Sequence, residues 1–176
     1  QMAARELRYD FFDKIIIKEK LEYIATAHHK NDVVETMLIN LTKGAGLSGL
    51  HGIKNKSGHL IRPLLGFTRE EIDAFAQENK VEYREDKSNA DNKYTRNAIR
   101  LDLIPLLEKI NPNVIESISK TAGYISDAEE LIGNNVMKNF NYCATCNRGK
   151  VYFDISKLVQ FSIIIYDYIN ISNLIY

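Results

Sequence analysis

The stretch "IATAHHKNDVVET", residues 24 to 36, places His28, His29, Asn31, Asp32 and Glu35 just after a short apolar run. Three chemistries suit such a set. Convergence of His28, His29, Asp32 and Glu35 would supply enough ligands for a metal ion, but neighbouring strand residues point to opposite faces, which separates the two histidines. Asp32 and Glu35, three positions apart, can instead form a capping box whose carboxylates are stabilised by a helix N-terminus. The third reading uses position: in an open α/β sheet, ligands bind where a strand ends and the next helix begins. Carboxylates on that first turn can hold an ammonium group, or a magnesium ion that carries phosphates.

A second constellation is "EDKSNADNKYTRNAIR", residues 85 to 100, a polar loop entering a helix. Arg96 and Arg100 stand four apart and so share a face, with Asn97 between them. Two guanidinium groups on one face can grip phosphate bidentately. The ordinary alternative is a solvated helix start in which Glu85 or Asp91 pairs with the arginines.

Other motifs carry less. "GAGLSG", Gly44 to Gly49, has dinucleotide-binding spacing, but that fingerprint works only between a strand and a helix. Here a helix precedes it and no helical pattern comes until Thr68, so it reads as a helix C-cap and loop. Cys143 and Cys146 supply only two ligands, too few for zinc, and read as loop thiols. Tyr152, Phe153, Phe161, Tyr166 and Tyr168 read as core rather than as a base-stacking platform.

The elements that must position these residues emerge from periodicity. Residues 2 to 20, with Ala4, Leu7, Phe11, Phe12 and Ile15, predict an amphipathic helix. Tyr23 to Ala27 predicts a buried strand. Asn31 or Asp32 would cap a helix that carries Val33, Val34, Met37, Leu38 and Leu41 on one face and stops at Gly44. Leu60 to Arg62 predicts a strand, Thr68 to Asn79 a helix with a Thr68–Glu71 capping box, and Val81 to Tyr83 a further strand. Alternating strands and helices imply an α/β fold with a parallel sheet. From Tyr94 onward the pattern is helical, with one helix ending near Ile110 and a second from about Val114 to Phe140. Residues 1–110 therefore predict one domain, and residues 111–176 a helical linker and the beginning of a mostly helical second one. "KVYFDISKL" and a final apolar helix belong to the latter.

With 176 residues, 45% of them hydrophobic, the chain can bury a core. Its 23 basic and 23 acidic residues cancel, so any RNA contact must come from local clusters. Two cysteines, no signal peptide and no apolar run of spanning length predict the cytoplasm. The chain opens at Gln1 inside a helical pattern and closes in the apolar "IIIYDYINISNLIY", as a piece of a longer protein would.

Taken in order, "ATAHHKNDVVETMLINLTKGAGLSGLHGI", "IRPLL" and "EDKSNADNKYTRNAIR" resemble the tRNA(Ile)-lysidine synthetases of the PP-loop ATP pyrophosphatase group. The resemblance runs from about Ala3 to Leu107 and implies a partial Rossmann-like sheet. It also implies ATP and Mg2+ as cofactors, and free L-lysine and isoleucine tRNA with a CAU anticodon as partners. The implied reaction adenylates O2 of the wobble cytidine, after which the lysine ε-amine attacks C2 and expels AMP. By resemblance, His28 is the strand-end histidine, while Asp32 and Glu35 hold lysine or nucleotide-bound magnesium. Arg96, Asn97 and Arg100 face phosphates or tRNA, and Arg62 supports the same crevice.

Two departures stand out. Asn31 occupies the place of a first aspartate, and the family's "SGGxDS" loop, whose backbone amides cradle pyrophosphate, has no counterpart. The 176-residue chain is therefore expected to be inactive alone. An exposed sheet edge would invite a homodimer. The rival readings are a 2-thiocytidine synthetase, which shares the histidine motif but uses cysteines with an iron-sulfur cluster, and a non-catalytic tRNA-binding module.

Overall fold

The computed structural model describes residues 2–82, 95–148 and 150–158. The chain divides at Ile125 and Ser126 into two compact units.

The first unit opens with α1 (Met2–Glu19), which Lys20 ends in the left-handed region at φ 53°. The helix is where the periodicity puts it, but its predicted apolar stripe is not buried: Leu7 and Phe11 are exposed. β1 (Ile24–Ala25) leads into α2 (Lys30–Thr42), then α3 (Leu47–Leu50), β2 (Lys56–Ser57) and β3 (Leu60–Ile61). β1 pairs in parallel with β3, and β2 pairs antiparallel with β3, so the sheet order is β1-β3-β2. The parallel pair was legible from strand alternating with helix. The β2 hairpin was not, because "NKSGHLI" carries no apolar alternation on its first strand. Gly58, at φ 58°, makes its two-residue turn possible.

α4 (Arg69–Glu78) begins with the predicted capping box, in which the Thr68 N–H donates to Glu71 at 2.7 Å and Thr68 Oγ1 accepts from the Glu71 N–H at 3.2 Å. Val81 and Glu82, predicted as strand, are irregular here. Tyr83 and the loop from Glu85 to Tyr94 lie outside the described residues.

The predicted helix ending near Ile110 is present but not uniform. α5 (Thr95–Ala98) passes into a π-helical turn (Ile99–Leu103) and then α6 (Ile104–Ile110). Pro105 explains the widening, since it offers no N–H to the carbonyl four residues back and its ring crowds that carbonyl. The Ile104 N–H instead reaches the Ile99 carbonyl. α7 (Val114–Cys143) comes next, and the unit boundary falls within it.

α2 is the central element of the first unit. Val34 packs with Ile99, Ile104, Val114 and Ile115, whereas its neighbour Val33 packs with Leu65 and Ala122. Burying two adjacent valines fixes the rotation of α2 about its axis, and with it the direction of every side chain on its first turn. The price is that Leu41, predicted on the buried face, is exposed. Gly44, at φ 70°, ends α2 as expected, although a short helix, α3, begins at once where only loop was predicted.

Gly52, at φ 72°, lies so close to α2 that a Cβ there would meet Val33 Cγ1 at 2.7 Å. Gly52→Ala is therefore expected to destabilise the chain by about 1–3 kcal/mol, through both the clash and the backbone. A urea midpoint unchanged from wild type would contradict this.

In the second unit, β4 (Ala144–Asn147) and β5 (Lys150–Phe153) form an antiparallel hairpin ahead of α8 (Ile155–Leu158). The mostly helical expectation missed this hairpin, whose strands are too short to show a period. Phe153 packs edge to face on Phe140, with ring centroids 5.5 Å apart. Cys143 is buried at the end of α7 and Cys146 is exposed on β4, so neither is a loop thiol. Phe161, Tyr166, Tyr168 and the final apolar helix lie outside the described residues. Among the described residues no helix is long and apolar enough to cross a membrane.

Candidate functional site

The chain leaves β1 and reaches α2 through Thr26, Ala27, His28 and His29, and the geometry of the helix start sets the direction of the polar side chains on its first turn. His29, with extended backbone, is the N-cap in place of the predicted Asn31 or Asp32. Asp32 is the third helical residue, and its carboxylate accepts the His29 N–H at 3.0 Å. The capping box is thus His29 with Asp32, one turn earlier than Asp32 with Glu35. Asn31 turns away, its Oδ1 accepting the Arg69 N–H at 2.9 Å, so it completes the start of α4. Lys30 reaches Glu116 on α7 at 2.6 Å, a bond that holds the Glu116 carboxyl below its ordinary range.

Sequence reasoning treated the histidine-to-glutamate stretch and the arginine helix as two clusters, and missed that they bind each other. Glu35 is fully buried. It accepts a bidentate pair from Arg100, Nε to Oε1 at 2.6 Å and Nη2 to Oε2 at 3.0 Å. Arg96 approaches the same carboxylate at 3.4 Å and donates to Thr36 Oγ1 at 2.9 Å. Arg100 also lies 3.9 Å from Asp32. The bond to Glu35 outweighs partial burial and raises the Arg100 guanidinium above its ordinary pKa, with the charges of Glu35 and Asp32 adding to it. A bidentate fork of this kind fixes orientation as well as energy. The signal was present in the sequence as an acid and two arginines, but nothing local says that residues 65 positions apart will pair.

The remaining residues divide. Asn97 is buried beside the arginines on α5. Arg62 donates to the Lys54 carbonyl at 2.6 Å, so its described bond serves the β2–β3 region and not the cluster. His28 and His29 lie beyond the end of β1 and have different neighbours: Thr26 Oγ1 is 3.0 Å from His28 Nδ1, while His29 Nε2 lies 3.5 Å from Asp32 at the cap. No group of three or more His, Cys, Asp or Glu side chains among the described residues could hold a metal ion.

A cleft of about 420 Å³ opens at this junction. Its lining includes Thr26, Ala27, His28, Asp32 and Arg96, and also Arg8, Tyr9 and Phe12 of α1. Glu35, Asn97 and Arg100 are not among the lining residues. The cleft is of ordinary small-ligand size, with one carboxylate and two guanidinium groups on its walls.

The family model described as the PP-loop domain matches residues 1–107. A tRNA(Ile)-lysidine synthase from Bacteroides thetaiotaomicron is 46% identical over 131 residues, covering 74% of this chain and 31% of that protein. The enzyme of the same name from Thermosipho africanus is 38% identical over 164 residues, covering 90% of this chain and 37% of its own length. That from Bacillus subtilis is 38% identical over 149 residues, 82% of this chain and 32% of the relative. The chain thus spans roughly a third of the length of these relatives. Among solved structures, the U34-tRNA thiolase NcsA from Methanococcus maripaludis with its 4Fe-4S cluster superposes with a TM-score of 0.55 at 21% identity, over 69% of this chain and 42% of that one. That likeness concerns the fold alone, whereas the family model covers more than half of the chain: this chain belongs to the PP-loop domain family.

Proposed function

We propose that this chain is part of a tRNA(Ile)-lysidine synthase, an ATP-dependent carbon-nitrogen ligase. The observation that carries this reading is the cleft at the start of α2, where His28, Asp32 and Arg96 meet within the PP-loop match. Its relatives named for that activity add support. The substrates are free lysine, ATP and isoleucine tRNA with a CAU anticodon, and they meet in the cytoplasm.

In the proposed reaction ATP transfers its adenylyl group to O2 of the wobble cytidine and pyrophosphate leaves. The ε-amine of lysine then attacks C2, AMP departs with the oxygen, and lysidine remains. Asp32 is the residue suited to the lysine ammonium, because it is the one carboxylate among the residues that line the cleft. Arg96 is suited to phosphate. Glu35 and Arg100 are positioning residues in this reading: the buried carboxylate holds both arginines and so sets where Arg96 points. Asn97 packs beside them. The magnesium that ATP carries would meet Asp32 as its one protein carboxylate at the cleft, with phosphates and water completing its shell. The short parallel pair β1–β3 is consistent with the edge of a larger Rossmann-like sheet, with residues 111–176 leading into a second domain.

The test uses the full-length protein with labelled lysine, ATP and isoleucine tRNA bearing CAU. Lysine incorporation dependent on ATP and on the C of the anticodon supports the reading. ATP-dependent sulfur incorporation without lysine would transfer the chain to the thiolase class, and tRNA binding with no ATP turnover would leave a binding module.

A further inference from the structure

Arg96 lines the cleft, but Glu35 does not aim it unaided. Both carboxylate oxygens of Glu35 are engaged by Arg100, at 2.6 and 3.0 Å, and Arg96 Nε stands 3.4 Å from Oε2, longer than a charge-assisted bond. The tighter contact is with the next residue of α2: Arg96 Nη2 donates to Thr36 Oγ1 at 2.9 Å.

Thr36 differs in this from two other helical threonines. Thr42 Oγ1 donates to the Ile39 carbonyl at 2.8 Å and Thr121 Oγ1 to the Ser117 carbonyl at 2.9 Å, the ordinary use of a hydroxyl within a helix. The Thr36 oxygen instead serves a side chain 60 positions away, on α5. Nε and Nη2 share one edge of the planar guanidinium fork. Glu35 and Thr36 together therefore turn that edge of Arg96 toward α2 and its Nη1 side away from α2. A neutral oxygen does this without a countercharge, so it fixes direction and leaves the cation less neutralised than a second carboxylate would.

We infer that Thr36 is a positioning residue of the cleft: its hydroxyl oxygen aims Arg96, and without that oxygen Arg96 swings while the Glu35–Arg100 pair stays in place. The inference deepens the proposed function, on which it rests only for the group that Arg96 meets in the reaction.

The experiment uses the full-length protein as wild type, Thr36→Val, Thr36→Ala, Thr36→Ser, Arg96→Ala, and Thr36→Val combined with Arg96→Ala. Valine keeps the branched shape and helix propensity of threonine and loses the oxygen, whereas serine keeps the oxygen. One readout needs no activity: the hydrogen-exchange rate of the Arg96 Nε–H by heteronuclear NMR, its signal assigned by its absence from Arg96→Ala. Exchange is expected to quicken about fivefold in Thr36→Val and Thr36→Ala, and to return to within about twofold of wild type in Thr36→Ser. The other readout is kcat/KM for ATP-dependent pyrophosphate release on isoleucine tRNA. A loss of about tenfold is expected in Thr36→Val, with recovery in Thr36→Ser. Adding Thr36→Val to Arg96→Ala is expected to cost less than about twofold more, because the two residues act as one unit.

Unchanged exchange or a wild-type kcat/KM in Thr36→Val overturns the inference. So do equal losses in Thr36→Ser and Thr36→Val, which would mean packing, and so does a Thr36→Val loss that persists in full beside Arg96→Ala. If the wild type releases no pyrophosphate, the proposed reaction falls, and the exchange rates alone decide for or against Thr36.

Discussion

Arg100→Ala is expected to destabilise the chain by about 3–5 kcal/mol, because it strips the bidentate partner from a carboxylate with no exposure to water. Glu35→Ala is expected to cost less, roughly 1–3 kcal/mol. The asymmetry comes from where each survivor is left. Without Arg100, the cation left to Glu35 among the described residues is Arg96 at 3.4 Å, and Glu35 is fully buried. Without Glu35, the arginine side chains are already 31% and 43% exposed and can turn outward to be hydrated. Set against a total stability of about 5–15 kcal/mol for an ordinary domain, the larger figure is enough to compromise folding at physiological temperature.

Urea denaturation of the two single variants and of the double variant Glu35→Leu with Arg100→Leu checks the argument. Replacing the whole buried pair with apolar side chains is expected to cost less than Arg100→Ala, since no charge is then left uncompensated. Equal losses in the two alanine variants, or losses below about 1 kcal/mol in both, would mean that Glu35 is reached by water or by another cation and is not the pin between α2 and the π-helical turn.

The same pair shows what could be read from the sequence and what could not. The existence of α2, its stop at Gly44, the α4 capping box and the long α7 all come from local rules, because caps, glycines and apolar periods act within a turn or two of themselves. Asp32 and Arg96 could be nominated for the same reason: each stands beside a helix start with other polar groups. What local rules do not contain is rotation and partnership. Whether Glu35 faces a ligand or the core depends on both Val33 and Val34 being buried, which turns α2 so that Glu35 meets Arg96 and Arg100. The π-helical turn depends on Pro105 lying inside a helix that packing keeps continuous. Arg8 has no local signature, being one of two arginines, with Arg5, on a helix whose apolar spacing is its only pattern. Arg62 belongs to the crevice by sequence resemblance alone, whereas its bond runs to Lys54.

For Asp32 the decisive comparison is between Asp32→Asn and Asp32→Ala in the full-length protein. Asp32 does two jobs at once in this structure: it closes the cap with the His29 N–H, and it presents charge to the cleft. Asparagine keeps an oxygen that can accept that N–H and loses only the charge, so Asp32→Asn is expected to remain within about 1 kcal/mol of wild-type stability. Alanine gives up both, and its loss of stability should exceed that of asparagine by about the value of one cap bond, 0.5–2 kcal/mol. If Asp32 serves only as a cap, lysine incorporation will track stability, and Asp32→Asn will be nearly as active as wild type. If its charge holds the lysine ammonium or the magnesium carried by ATP, both variants are expected to lose about a hundredfold or more in lysine incorporation, the scale seen when one preorganised electrostatic contact is removed. The two uses of the charge separate by substrate. A defect that raises the lysine concentration required, with ATP-dependent pyrophosphate release on tRNA unchanged, assigns Asp32 to the amine. A loss of pyrophosphate release itself assigns it to the nucleotide. Full activity in Asp32→Asn would return this aspartate to helix capping and leave His28, Arg8 and Arg96 as the cleft's remaining polar chemistry.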